Sequence, residues 1–402
     1  MLEGRQRAWL FAAACGGMFI FGVVLALLGT LFGLPAMRAR LGVNLAQQGD
    51  LFLLLYAGVC FSTVAVGPLI DRFGNKLVLL VSAALVTVAL LEFAAARSMF
   101  AAVIASLVIG VGGGGLNTSC NVLTSELYEG KRGPMLNLLG IFYGFGALFI
   151  PLLAAGITSL LPMPELLLFT AILPAMGVVA YAVLPFPPAR EGHGMAWREI
   201  VEVVRYPGLL LFGIVLFMES GNEAVLAGWT STYLGAAGAG ARLATWILAG
   251  YWAGLMLGRL SATRLLRRFR DVQLVLLSAL GSMAGCALLL GGRSVSLLAA
   301  AVFFTGFAFS AIYPTTLAMI GDRYQRFAGT AFGVLFAIGL AGGAVFPWAV
   351  GHVSQAHTVR TGMVLPLAGA AAVAATVMVI KRRQGGRTAM PAGGPSDPIA
   401  GS

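Results

Sequence analysis

Charge is what this sequence has least of. Only 10% of its 402 residues are Asp, Glu, Lys or Arg, while 59% are hydrophobic; a soluble domain carries roughly 25% charged residues. A water-soluble globular chain is excluded, and the mean hydropathy of +0.91 belongs to an integral membrane protein. Metal and redox chemistry lack their residues as well. Cys15, Cys60, Cys120 and Cys286 stand singly in apolar segments with no C-x-x-C spacing and read as small packing residues. The three histidines, His193, His352 and His357, lie in or beside loops with no ligand pattern around them. No nucleophile and base fall together, so neither an enzyme nor a cofactor nor a metal site is expected. The glycine run Gly110-Val-Gly112-Gly113-Gly114-Gly115 lacks the Gly-Lys-Ser/Thr of a phosphate loop and reads as close helix packing.

What is present instead is a recurring apolar run. Stretches of about 20 residues alternate with short polar breaks, and lipid offers unpaired backbone no partner, so each stretch reads as a helix. Twelve spans fit, at 9 to 34, 47 to 69, 76 to 95, 99 to 124, 135 to 160, 165 to 187, 208 to 234, 242 to 264, 271 to 291, 295 to 320, 327 to 350 and 362 to 381. The first imitates a signal peptide, but its apolar character continues to Pro35, too far for a cleaved leader, and a retained span is expected. The expected fold is an all-α membrane protein with twelve transmembrane helices in two six-helix pseudo-symmetric bundles. Residues 1–187 form the first bundle, 188–207 a cytoplasmic linker, 208–383 the second bundle and 384–402 a Gly/Pro/Ser-rich disordered tail. In the linker, Trp197, Ile200, Val201 and Val204 recur at helical spacing with charges opposite, the pattern of a short helix lying on the membrane.

The net charge of +11 is topological. With both termini cytoplasmic, twenty of the 26 Lys and Arg fall in inner breaks and span ends; Arg38, Arg40, Arg97, Arg242, Arg293 and Arg360 fall outside. That asymmetry is the positive-inside pattern of a multi-pass protein of the cell's inner (plasma) membrane, and not a nucleic-acid footprint. The same count leaves no basic residue in the middle of a span. The acids there are consequently expected to lack a cationic partner.

Two such acids mark the seventh span, LLLFGIVLFMESGNEAVLAGWTSTY, where Glu219 and Glu223 are four apart and share a helix face. A carboxylate at that depth costs several kcal/mol unless it faces protein, water or a partner, which makes the pair a functional-site candidate. Weak internal repetition surrounds them. Gly67 with Asp71-Arg72 after span two is echoed by Gly254 with Gly258-Arg259 in span eight, and Gly144-x-Gly146 leading to Pro151 is echoed by Gly342-Gly343 leading to Pro347. Two similar halves suit a rocking transporter whose site lies between them near the midplane.

The segment GPLIDRFGNK resembles the signature that the major facilitator superfamily carries between its second and third spans. Gly67 allows close helix approach, and the resemblance implies that Asp71 and Arg72, with Gly258 and Arg259 as their echo, latch the cytoplasmic gate. Asn75 stands where the family usually has a basic residue. Further stretches resemble the fucose permease branch: Asn117-Thr-Ser-Cys-Asn121, Leu136-Asn137 through Gly146 to Pro151, Glu223 followed by Trp229 and Tyr233, and Tyr313-Pro314. This resemblance implies a sugar as solute and a proton as driving ion.

The residue types suit a sugar in their own right, since amides and carboxylates bind hydroxyls and an aromatic ring stacks on the apolar face. Asn117 and Asn121 share one helical face; Tyr143, Asn222, Glu223, Trp229, Trp252 and Tyr313 are the candidates to complete a cavity. The branch relies on acids in spans one and four, but span one here has none and Asn117 occupies the span-four position. A coupled proton therefore falls to Glu223 or Glu219. A sodium ion held by Glu223, Asn222 and backbone carbonyls is the alternative, and a passive uniporter needs neither. The expectation is a monomeric secondary transporter in a lipid bilayer that moves a small polar solute by alternating access. Its rivals are an exporter of amphipathic compounds and a solute sensor that does not transport.

Overall fold

A computed structural model describes residues 4–157, 163–187, 207–323 and 328–388. Among them the chain is helical throughout: α1 (Gly4–Phe32), α2 (Pro35–Leu41), α3 (Leu45–Ala95), α4 (Met99–Leu127), a 3-10 turn (Glu129–Lys131), α5 (Arg132–Ile157), α6 (Met163–Val183), α7 (Pro207–Ala236), α8 (Ala241–Leu265), α9 (Asp271–Gly291), α10 (Val295–Phe309), α11 (Ile312–Arg323), α12 (Ala328–Ala356), α13 (Val359–Gly362) and α14 (Val364–Thr388). The surface helix expected between 188 and 207 lies outside the described residues, and so does the tail beyond Thr388.

Hydropathy finds most of this. Ten helices among the described residues are long and apolar enough to cross a membrane, with α10 and the first residues of α11 counted as one. The exceptions are physical. α3 runs for 51 residues, about 75 Å at 1.5 Å per residue, more than twice the hydrocarbon thickness. It contains the second and third expected spans, and the polar break between them is a kink at Gly74, whose φ of 79° suits glycine and disfavours a residue with a Cβ. α8 is not among the ten, but it is 25 residues long and covers the expected eighth span at 242 to 264. Counting α3 twice and adding α8 gives twelve passes. The tenth pass is broken at Ser310-Ala311, just before Tyr313-Pro314, where proline removes a backbone donor.

Packing follows sequence order within each half. α3 lies against α4 and α6, and α1 against α5; later in the chain α7 lies against α12 and α14, and α8 and α9 both lie against α10. Helices in lipid adhere by van der Waals contact, which small residues permit, and the same close approaches occur twice. A Cβ at Gly58 would strike the Leu107 carbonyl and the Val111 amide, and one at Gly254 would strike the Phe303 carbonyl and the Phe307 amide. Gly110 sits against the Leu55 carbonyl as Gly306 sits against that of Tyr251. Every residue of the second set follows its counterpart by 196 positions, 58 to 254 and 110 to 306. Gly146 and Gly342, which abut the carbonyls of Phe19 and Phe217, keep the same interval.

This register corrects the one that glycine spacing suggests. Gly254 matches Gly58 and not Gly67, so Arg259 matches Thr63, while Arg72-Phe73 matches Arg268-Phe269 in the turn after α8. Gly258 packs within the second half, against the Phe307 carbonyl and Ser310 of α10.

The two halves meet through α3 with α12, α5 with α8 and α1 with α7. Successive passes put Gly4 and Thr388 at one end, here called the terminal end, with the 33–44, 237–240 and 357–363 connections at the other, distal end. The distal end is sealed. Gly49 meets Trp348 and Gly351, Gly33 meets Ser231, and Gly29 meets the Ala227 carbonyl. The Leu45 amide donates to Gln355, Arg242 donates to the Ala155 carbonyl, and the His352 ring lies 3.0 Å from Asp50. The side-chain hydrogen bonds of Gln48, Thr232, Arg242, Gln355 and His352 join the halves at the distal end, and that of Tyr143 with Glu223 joins them midway along the helices.

Gly342→Val should force the Phe217 carbonyl aside and lower stability by about 1–3 kcal/mol, read as a fall in melting temperature in detergent. Gly156→Ala, at a position with open space around it, should leave melting unchanged or slightly raised.

Candidate functional site

Midway along the helices, α7 presents Glu219 and Glu223 one turn apart towards the second half's interior and the facing α5. Glu223 has two partners. The Tyr143 hydroxyl, on α5, donates to its Oε1 at 3.3 Å, and Arg259 Nη2, on α8, lies 3.9 Å from its Oε2. The Arg259 guanidinium also lies 5.9 Å over the Tyr143 ring, a cation–π distance. The Tyr143 ring meets Trp252 edge-on at 6.1 Å, and Trp252 meets Tyr251 at 5.4 Å. Tyr56 of α3 and Tyr313 of α11 stand within electrostatic reach of the same carboxylate. The side chains of Arg259 and Glu223 are 32% and 18% exposed, so the ion pair is not sealed on every side.

The mid-span acids therefore do have a cationic partner, contrary to expectation. Arg259 appears close to the end of span eight when residues are counted from the turn, yet a side chain of its length reaches back to mid-helix. One signal was available. Trp252 and Arg259 are seven apart, two helical turns on one face. Tyr56 and Tyr251 were also missed, although Tyr56 occupies the position in the first half that Trp252 occupies in the second.

Of the other candidates, Tyr143, Glu223, Trp252 and Tyr313 converge and the rest do not. Asn121 donates to the Asn117 side chain at 3.1 Å and to its carbonyl at 2.8 Å, and its remaining neighbour is Met18 of α1. The Asn121 amide nitrogen is thus spent on its own helix, and both asparagines are partly exposed. Asn222 is fully buried with neither amide atom paired, and it abuts Gly369 of α14; one residue along a helix is a 100° turn, which carries it away from Glu223. Trp229 is fully buried, donates Nε1 to the Pro347 carbonyl at 3.1 Å and packs on Phe52 at 6.2 Å. It is part of the packing between halves and not a wall of the cluster.

The gate residues are far from one another. Asp71 and Arg72 are exposed at the terminal end, and Arg72 lies over its neighbour Phe73 at 5.1 Å. Gly67, expected to let two helices touch, has open space where a Cβ would stand. Asn75 finds its own use, donating to Glu126 at 3.3 Å and tying α3 to α4.

Residues 14–347 match the family model described as Major Facilitator Superfamily. An uncharacterised transporter of Sinorhizobium fredii is 25% identical over 93% of this chain and 98% of its own length. A 4-hydroxybenzoate transporter of Pseudomonas aeruginosa is 26% identical over 88% and 89% of the respective chains. A solved D-xylose–proton symporter superposes with a TM-score of 0.76 at 15% identity, covering 93% of this chain and 97% of its own, a likeness of fold.

Trp229→Phe should remove the donor to Pro347 and part of the contact with Phe52, costing about 1–3 kcal/mol in thermal unfolding. No loss of stability would return Trp229 to the list of cavity residues.

Proposed function

This chain belongs to the Major Facilitator Superfamily, and from that premise we propose that it is a proton-coupled secondary transporter that moves a small polar solute by alternating access. The observation that carries the reading is the mid-helix bridge in which Glu223 of α7 is held by Tyr143 of α5 and Arg259 of α8. A partly exposed ion pair ringed by aromatic side chains, placed where residues 4–187 meet residues 208–383, is a solute site of the kind that transporters build near the membrane midplane. Those two segments act as the six-helix halves. The positive-inside count supports a cytoplasmic terminal end in a plasma-membrane protein; on that reading the sealed distal end faces outward and this conformation is closed to the outside.

A sugar is the solute we favour. Glu223, Arg259 and Tyr143 offer acceptors and donors for hydroxyls, and Trp252 offers an aromatic edge; the D-xylose–proton symporter among the structural neighbours agrees with this. An organic acid is the second reading. The Arg259 guanidinium favours it, lying 3.9 Å from its carboxylate partner and so open to a second anion, and the 4-hydroxybenzoate transporter among the relatives agrees. The charges weigh against an exporter of amphipathic compounds, which wants an apolar cavity. The energetics suffice for accumulation, since one proton descending 100 mV supplies about 2.3 kcal/mol, roughly a fiftyfold gradient.

Proteoliposomes offered sugars and, separately, small aromatic and aliphatic carboxylates should accumulate one class when the lumen is alkaline and lose that accumulation with an uncoupler. Glu223→Gln should weaken apparent affinity by about tenfold, the equivalent of 1.4 kcal/mol. Uptake of neither class, or accumulation indifferent to the pH gradient and driven by sodium, would remove the proton-coupled reading.

A further inference from the structure

The two acids of α7 live in opposite surroundings. Glu223 has a donor, a cation and water. Glu219 is 1% exposed, and neither of its carboxyl oxygens has a hydrogen-bond partner. Two groups within electrostatic reach of it are buried and unpaired as well, the Tyr251 hydroxyl and Arg259 Nε. The charged groups within its reach are Glu223 on its own helix and Arg259 on α8, and Tyr251, Cys286 and Tyr313 are the titratable neighbours on α8, α9 and α11. α1, α10, α12 and α14 have no charged side chain at that depth.

An ionised carboxylate without hydrogen bonds in a low-dielectric interior costs several kcal/mol, whereas the neutral acid costs far less. One guanidinium cannot neutralise two carboxylates, so Arg259 paired to Glu223 leaves a charged Glu219 uncompensated. We infer that Glu219 is the proton carrier, neutral in this distal-closed conformation, and that Glu223 stays ionised as the solute-binding partner of Arg259. The step is a simple one: a proton from water forms the O–H bond of the Glu219 carboxyl and later returns to water on the other side. Loss of that proton puts two negative charges beside one positive charge, which destabilises the sealed conformation and favours one where water or Arg259 Nε reaches Glu219. Because the distal-closed form binds the proton preferentially, acid pH shifts the population towards it.

The inference deepens the transport reading and rests on it for the words solute and carrier, but its test reads protonation and shape without transport. Infrared spectra of the full-length protein in lipid should contain a carboxylic-acid C=O band from an isolated, weakly bonded acid. That band should vanish in Glu219→Gln and survive in Glu223→Gln. Spin labels at Ala46→Cys and Ala356→Cys, with the four native cysteines replaced by alanine, span the distal seal. In the otherwise unaltered protein the short-distance population should grow as pH falls; in Glu219→Gln it should dominate at every pH, and Glu223→Gln should still titrate. A band indifferent to Glu219→Gln overturns the assignment. So does a label distance that titrates normally in that variant, or one that answers to sodium and not to pH. If both spectroscopic results follow Glu219 while no solute class is transported, the transport reading fails and the protonation switch stands; uptake that is proton-driven without Glu219 gives the converse.

Discussion

A carboxylate in the middle of a membrane must be answered, and the way Glu223 is answered governs the rest of this molecule. Water is scarce there, and a fully buried ion pair seldom recovers the cost of desolvating both partners. The structure divides the burden. Arg259 supplies the countercharge at 3.9 Å, Tyr143 a hydrogen bond at 3.3 Å, and partial exposure supplies solvent. Each partner comes from a different helix, so α5, α7 and α8 must keep fixed faces towards one another. The aromatic side chains of Tyr143, Trp252 and Tyr251 fill the space between those faces, and their edges and hydroxyls suit a polar interior.

Glycine makes that arrangement possible at the level of the backbone. Where Gly58, Gly110, Gly254 and Gly306 meet carbonyls of neighbouring helices, the helices approach closely enough to gain dispersion energy without any apolar driving force, which lipid does not provide. The recurrence of these contacts at a constant interval means that one packing solution serves twice. Under the alternating access proposed above, two units built to the same plan move against each other, and the residues that differ between them are the candidates for specificity. Tyr56 and Trp252 hold equivalent places, yet Thr63 stands where the second half has Arg259. The functional charge is thus an asymmetry imposed on a symmetric frame.

The same asymmetry explains what could be read from the residues alone. Hydropathy located the passes because lipid punishes every departure from an apolar helix. It placed the eighth span at 242 to 264, where α8 runs, but did not show that the second and third spans join in one helix kinked at Gly74, where a positive φ turns the chain without a loop. Glu219 and Glu223 stood out as acids in an apolar run. Arg259 did not, because its helix position belongs to a span end while its guanidinium reaches the interior, and because a glycine spacing shared with the gate motif suggested a register nine residues away from the one the packing keeps. Asn117, Asn121, Asn222 and Trp229 were polar or amphipathic groups in the right spans. Which way they face depends on neighbouring helices that no local pattern reveals, and they turned to each other, to α14 and to Pro347.

The alternating access we propose requires the distal seal to open in every cycle, so it cannot be strong, and the two kinds of contact between the halves are weak in different ways. At the distal end, small residues and backbone meet through Gly29, Gly33, Gly49 and Gly351, contacts of dispersion alone that cost little to exchange for lipid or water. Of the polar links there, Asp50 with His352 and the Leu45 amide with Gln355 are exposed, so solvent can replace a partner, whereas Gln48 with Thr232 is buried and Arg242 with the Ala155 carbonyl partly so. Midway, the Tyr143 bond to Glu223 is long, so releasing it gives up little while leaving a carboxylate that water entering from the opposite side can solvate. A tight bidentate pair at that place would have fixed one conformation. Weak contacts on one side of a charged pivot let a change of one unit of charge at Glu219, sealed one turn away and without a hydrogen bond of its own, be large enough to decide which end is closed.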